Sequence, residues 1–276
     1  RPGIASGGHP GAGVGRWLHC GRVQGGAVLP GCAATRLVGH QSMFSATHFH
    51  SCGDTLAPLA QSPPDAIDLI YLDPPFFSNR HYEVIWGDEA EVRSFEDRWA
   101  GGIQHYVGWM RERMIELKRV LKPTGTLYLH CDYHASHYLK VMMDAVFGEG
   151  QFRNEIVWCY SGGGIPRKDY PRKHDTILRY TKGSDWTFNV ERKPFKENTQ
   201  AVGQHSTYVA VENRAIDLEK GTPVTDWWTD INTVTGWSAE RLGYPTQKPV
   251  SLLSRIIKAS SNPGDIVLDP FCGCGT

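Results

Sequence analysis

At 276 residues, with 29 lysines and arginines against 29 aspartates and glutamates, the chain carries no global charge that singles out a partner, so electrostatic arguments have to be local. That length can bury a sizeable core, as one large domain or a domain with an insertion. No apolar run approaches the roughly 18 residues of a membrane span and no secretory signal stands out, while seven cysteines without C-x-x-C or zinc-ligand spacing argue against a metal site and for a reducing cytoplasm.

In chain order, residues 1–42 are glycine-rich, roughly a quarter against a usual ~7%, with neither helical nor strand period. They predict a disordered leader, dispensable for folding and activity, with Met43 as a sensible native start. Phe44 to Ser51 predicts a short strand closed by Gly53-Asp54, and Leu56 and Leu59 begin a brief helix. After the turn at Ser62 to Asp65, the run Leu69-Ile70-Tyr71-Leu72 reads as a strand buried on both faces, stopped by Asp73-Pro74-Pro75-Phe76. Each proline fixes its own φ and removes an N–H. The loop therefore presents the Asp73 carboxylate and the carbonyls of Asp73 and Pro74 beside the Phe76 ring. Acceptors beside a flat ring suit a planar amine; a solvated cap on a Pro-rich turn is the plainer alternative.

Phe77 to Trp99 predicts a long functional loop or irregular helix. Val107, Met110, Met114, Leu117 and Leu121 stand at helical spacing, and Lys122-Pro123-Thr124-Gly125 ends that helix. Thr126 to His130 predicts the next buried strand, closed by Cys131-Asp132, and Ala135, Tyr138, Leu139, Met142 and Val146 mark a second helix. Asn154 to Tyr160 and Asp175 to Thr181 predict two further strands. Such alternation implies an α/β fold: a mostly parallel sheet with helices on both faces and ligands outside the carboxyl ends of the strands. Asp54, Asp73 and Asp132 would then stand along one edge.

Between these strands lies a glycine-rich, basic segment: Gly162-Gly163-Gly164, then Arg167, Lys168, Arg172, Lys173, Arg179 and Lys182 against Asp169 and Asp175. A phosphate-facing loop is the functional reading and an ordinary solvated loop the plain one. Residues 185–244 interrupt the pattern with polar sequence carrying Trp186, Trp227, Trp228 and Trp237. Pro245 to Pro249 opens a helix whose apolar face is Leu252, Leu253, Ile256 and Ile257. Ile266-Val267-Leu268-Asp269 is a last buried strand running into Phe271, Gly273 and Gly275, glycines that let a ligand approach the backbone.

These motifs resemble the amino-group DNA methyltransferases that use S-adenosylmethionine, in the permuted class whose catalytic motif precedes its cofactor motif. Asp73-Pro74-Pro75-Phe76 is similar to the family's catalytic motif, and Asp269 to Gly275 to its F-x-G-x-G cofactor loop. Thr246-Gln247-Lys248-Pro249 matches the segment before that loop, Gly53-Asp54 the acidic turn that contacts the cofactor adenine, and His174 to Leu178 a strand opening of one bacterial branch. The resemblance implies a Rossmann-like, circularly permuted methyltransferase fold, catalytic over residues 43–184 and 245–276, with a target-recognition insertion at 185–244. It implies Asp73, Pro74, Pro75 and Phe76 as the catalytic set, and Asp54, Lys248, Asp269, Phe271, Gly273 and Gly275 as cofactor contacts. Arg167, Lys168, Arg172 and Lys173 are the candidate DNA contacts.

The partners implied are double-stranded DNA and, as a candidate, a cognate restriction endonuclease; nothing in the sequence fixes the oligomeric state. Adenine N6 is the expected target, with Asp73 and Phe76 in its favour. Cytosine N4, an inactive DNA-binding fragment and a protein-glutamine methyltransferase are the alternatives. The sequence stops at Thr276, inside the cofactor motif. With the family's strand order 3-2-1-4-5-7-6, that leads one to expect strand 2 to be missing, strand 3 to lack a neighbour, and cofactor binding to be weakened.

Overall fold

The computed structural model describes residues 16–21, 49–52, 55–78, 81–86, 91–96, 99–162, 164–194, 221–244 and 246–272. In chain order they form β1 (Arg16–Gly21), β2 (Phe49–Cys52), α1 (Leu56–Gln61), β3 (Ile67–Leu72), β4 (His81–Trp86) and β5 (Glu91–Glu96). Then come α2 (Gly102–Val120), β6 (Leu121–Cys131), α3 (Ser136–Phe147), β7 (Phe152–Cys159), β8 (His174–Thr181), β9 (Arg192–Lys193), β10 (Thr222–Pro223), β11 (Trp227–Trp228), α4 (Val250–Ser260) and β12 (Ile266–Asp269).

Eight strands make the main sheet, in the order β11-β7-β8-β6-β3-β12-β1-β2. Only β8 runs antiparallel to its neighbours, β6 and β7. The sheet is mostly parallel with helices on both faces, the expected α/β methyltransferase architecture. Its centre is β3, whose alternating side chains feed two cores. Ile70 and Leu72 pack with Met110, Met114 and Leu117 of α2 and Leu139 of α3. Leu69 and Tyr71 pack with Leu252, Leu253 and Ile256 of α4. A strand buried on both faces cannot alternate apolar with polar, which explains its unbroken apolar run. Each such side chain contributes roughly 1.5–3 kcal/mol on full burial.

α2 ends at Val120, as the Lys122 to Gly125 signal predicts, but β6 begins at once at Leu121. Its register on β3 shifts between Ile67 and Leu69, which accommodates Pro123 outside the regular ladder. Gly125 sits where a Cβ would come within 3.0 Å of the Asp68 carbonyl.

Three expectations change. The stretch from Phe77 to Trp99 holds an antiparallel hairpin, β4 with β5, pairing His81 with Glu96 and Trp86 with Glu91; its two runs are rich in aromatic and β-branched residues, which favour strands. The insertion gives a strand to the main sheet, with β11 parallel to β7. Arg255 of α4 binds Asp230 at 2.9 and 2.6 Å and Glu191 at 3.2 Å, and so ties the insertion down further.

The third change concerns the leader. Arg16–Gly21 forms β1 between β12 and β2, pairing Arg16 with Ile266 and Leu18 with Phe49. The β2 strand thus has a neighbour, and the reading of residues 1–42 as lacking any strand gives way at that point. A strand edge carries a row of N–H and C=O groups that need partners, and this proline-free run supplies them. The rest of 1–42 lies outside the described residues. Deleting residues 1–42 is therefore expected to lower the melting temperature by several degrees, since about 1 kcal/mol moves it by roughly 2–4 °C at this size. Matched thermal melts of the two lengths check this, and coincident curves would remove β1 from the sheet's stability.

Candidate active site

Asp73 stands where β3 ends, in the middle of the sheet's carboxyl edge. Its side chain is 17% exposed, and its two oxygens differ. Lys248 Nζ donates to Oδ2 at 2.6 Å. Oδ1 is buried without a hydrogen-bond partner among the described residues, with His130 Nδ1 facing it at 3.8 Å. Lys248 thus reaches from the segment before α4 to the β3 loop, and its ammonium also lies 5.0 Å over the Phe76 ring. The Thr246 to Pro249 motif therefore delivers a cation to the Asp73 carboxylate.

The loop is held from below. Pro74 and Pro75 are buried, and the Tyr106 hydroxyl of α2 donates to the Pro75 carbonyl at 2.6 Å. Phe77 takes a left-handed backbone, φ 63, costly for a bulky residue and common where a site over-determines its geometry. That reversal directs the chain away after Phe76.

Behind Phe76 lies a buried polar chain. Its hub is His130, from β6, 5.4 Å from the Phe76 ring centre. The Tyr71 hydroxyl lies 2.8 Å from His130 Nδ1, and Asp175 Oδ2 lies 3.1 Å from Nε2. The Tyr160 hydroxyl donates to Asp175 Oδ1 at 3.0 Å. Burial first, then the charges of Asp73, Asp269 and Asp175, push the Tyr71 hydroxyl well above its ordinary range. Burial also works on Asp175, but the His130 hydrogen bond, Lys248 and Tyr160 outweigh it and hold this carboxyl below its usual range. Sequence reasoning missed His130 and left Asp175 without a role. The available signals were a lone histidine in the apolar run Leu127 to Cys131 and an aspartate opening the strand His174 to Leu178.

Phe76, Asp132, Tyr160, Arg172, His174 and Asp175 line a cleft of about 340 Å³, large enough for a planar ring. Asp132 accepts from the His134 backbone at 2.9 Å and lies 2.7 Å from its ring nitrogen, a turn contact as well as a wall of the cleft.

At the neighbouring strand end, Asp269 is buried and accepts from the Phe271 N–H at 2.9 Å. Burial, reinforced by Asp73 and opposed by Phe271 and Lys248, pushes its carboxyl up to about 7. Phe271 packs against Trp109 at 5.9 Å, and the Trp109 indole nitrogen is buried without a partner among the described residues. Asp54, Gly273 and Gly275 lie outside the described residues.

The basic segment divides. Arg167 and Lys168 are exposed on the loop between β7 and β8, beside Ile165 and Tyr170. Arg172 stacks over Tyr133 at 4.3 Å on the rim of the cleft, while Lys173 turns back onto the Gly162 carbonyl. Arg179 is only 4% exposed and lies 4.4 Å over Phe188. Lys182 binds Asp65 and the Leu121 carbonyl, both at 2.6 Å. Because β8 runs antiparallel, it carries its later residues away from the cleft. Arg179 and Lys182 thus leave the basic patch.

A family model described as DNA methylase, covering the N6/N4 methyltransferases, matches residues 67–276. The chain is 31% identical over 251 residues to the DNA adenine methyltransferase YhdJ of Escherichia coli K12, covering 89% of this chain and 76% of that protein. It is 30% identical over 226 residues to the type II methyltransferase M.HpaI of Haemophilus parainfluenzae, covering 82% of this chain and 63% of that protein. Among solved structures, the PvuII DNA methyltransferase, cytosine-N4-specific, aligns with a TM-score of 0.53 at 15% identity over 79% of this chain and 72% of that one, a likeness of fold. With a buried carboxylate loop at the switch of a doubly wound sheet and a family match that runs from β3 to the last residue, the chain belongs to the DNA methylase family of N6/N4 amino methyltransferases, whose cofactor is S-adenosylmethionine.

Proposed function

We propose that the protein transfers a methyl group from S-adenosylmethionine to the exocyclic N6 amine of adenine in double-stranded DNA, with Asp73 as the acceptor of the amine hydrogen. The observation that carries this reading is Asp73 Oδ1, a buried acceptor with no partner among the described residues, on a carboxylate whose Lys248 partner also lies over the Phe76 ring. An aryl amine is a poor nucleophile because its lone pair is delocalised into the ring. An amine hydrogen bonded to Oδ1, and the other to the Pro74 carbonyl, favours a pyramidal nitrogen and frees that pair. Asp73 then takes the released proton, a role typically worth ~10²–10⁴-fold.

The bound cofactor supplies an electrophilic methyl on a sulfonium. Lys248, Asp269, Phe271 and the Trp109 indole N–H, unpartnered among the described residues, fit such a polar group at the carboxyl end of β12, with Asp54, Gly273 and Gly275 proposed as further contacts. The target base leaves the duplex at a cost of a few kcal/mol. Stacking on Phe76, worth roughly 1–3 kcal/mol per base, offsets part of it. Arg167, Lys168 and Arg172 are proposed to meet phosphates at the rim, with the insertion, including the 96% exposed Trp237, reading the duplex beside them. We place this activity in the cytoplasm; a cognate restriction endonuclease is the protein partner to look for.

The test is to methylate duplex DNA with a tritiated methyl donor, digest it and identify the labelled nucleoside. N6-methyladenine is the expected product. Label on N4-methylcytosine alone would move the assignment to the other amine of this family, and label on protein alone would end the DNA reading.

A further inference from the structure

A protein donor to Asp73 Oδ1 would compete with a substrate amine for that oxygen and weaken it as an acceptor. The group facing that oxygen is His130, and its tautomer decides the matter. The side chains against the ring include Tyr71 of β3, Asp73 and Phe76 of the following loop, Trp158 of β7 and Asp175 of β8. Lys248 and Asp269 act more remotely, through their charges on Asp175 and on Tyr71 respectively.

The raised Tyr71 hydroxyl keeps its proton and can donate to Nδ1. The Asp175 carboxylate can only accept, so Nε2 must carry the hydrogen between them. In that tautomer Nδ1 has no hydrogen to give Asp73, consistent with a separation of 3.8 Å, longer than a hydrogen bond.

We propose that Asp175 is a positioning residue that fixes His130 as the Nε2–H tautomer and so leaves Asp73 Oδ1 free for the substrate amine. This rests on the reading of Asp73 given above. A neighbouring tyrosine explains why the setting is firm. Tyr160 donates to Asp175 Oδ1, so only Oδ2 is left to face His130.

The substitution Asp175→Asn turns this into a test. With the Tyr160 hydroxyl still holding the amide oxygen, the amide nitrogen must face Nε2 and donate to it. The hydrogen moves to Nδ1, and either that N–H or the Tyr71 hydroxyl hydrogen it displaces turns to Asp73 Oδ1. A wrong tautomer with geometry intact is a known route to large losses in catalysis. In Asp175→Asn the methyl-transfer rate should fall at least about tenfold, while KM for DNA and cofactor stays within about threefold. Nitrogen-15 NMR should show the protonated ring nitrogen of His130 exchanged. Adding Tyr160→Phe frees the amide to turn its oxygen to His130, and should restore both the tautomer and most of the rate. A merely structural Asp175 would give neither the exchange nor the rescue.

An exchanged tautomer with an unchanged rate would overturn the proposal, as would an unchanged tautomer. Should Asp175→Asn not fold, the wild-type spectrum decides, because an Nδ1–H resting tautomer contradicts the assignment outright. If instead Asp73→Asn keeps its rate, the role of Asp73 falls while the tautomer measurement stands by itself.

Discussion

Asp73→Asn is expected to abolish turnover while leaving DNA affinity nearly unchanged. The substitution keeps size and shape but replaces an anionic acceptor with an amide, which cannot take a proton. Oδ1 is the oxygen at stake, since Oδ2 is held by Lys248 at 2.6 Å. The loss should be on the scale of ~10²–10⁴ in rate. Ground-state affinity comes mostly from phosphate contacts elsewhere and should move little. Single-turnover methyl transfer and DNA affinity, measured side by side, check this; more than about a tenth of the wild-type rate would remove Asp73 from the role.

Lys248→Met is the second large effect, and it falls on stability as well as rate. The Lys248 and Asp73 side chains are 12% and 17% exposed. Removing the cation leaves a mostly buried carboxylate with no hydrogen-bond partner among the described residues, close enough to the buried Asp269 to feel its charge. Breaking such a pair from one side typically costs about 3–5 kcal/mol when fully buried, and here about 2–4 kcal/mol is expected. The double variant Asp73→Asn/Lys248→Met should recover part of that, because the stranded charge is gone. Denaturant melts of the four proteins give the coupling as a cycle. Additive losses would mean the ion pair contributes nothing to the fold.

Which features were legible in the sequence follows from how local their causes are. The strand before Asp73, the helix stop near Lys122, and the α4 face of Leu252, Leu253 and Ile256 each follow from a run of side chains and a breaker. The unlike environments of the two Asp73 oxygens do not, because Lys248 and His130 reach that carboxylate from other elements. Basic residues counted along β8 looked like one patch, but strand direction separates them, and direction is set by the partner strand. The hairpin between Phe77 and Trp99 failed for a different reason. Its strand formers were visible, yet the charged residues scattered among them concealed the pairing. β1 had only six residues in a glycine-rich setting, and its cause, the open flank of β12, lies at the far end of the sequence.

That last pairing bears on how the protein comes off the ribosome. Residue 16 meets residue 266 inside the finished sheet, and β3 also waits for β12 on that side. At ordinary elongation speeds the two partners emerge on the order of tens of seconds apart. Throughout that interval the nascent chain carries β3 with one flank open, an unfinished edge able to recruit a foreign strand. Contacts of such long sequence separation are also the slow ones to close. β3, which ends at Asp73, is therefore synthesised well before β12, and that strand gains its neighbours on both sides only once β12 has been made.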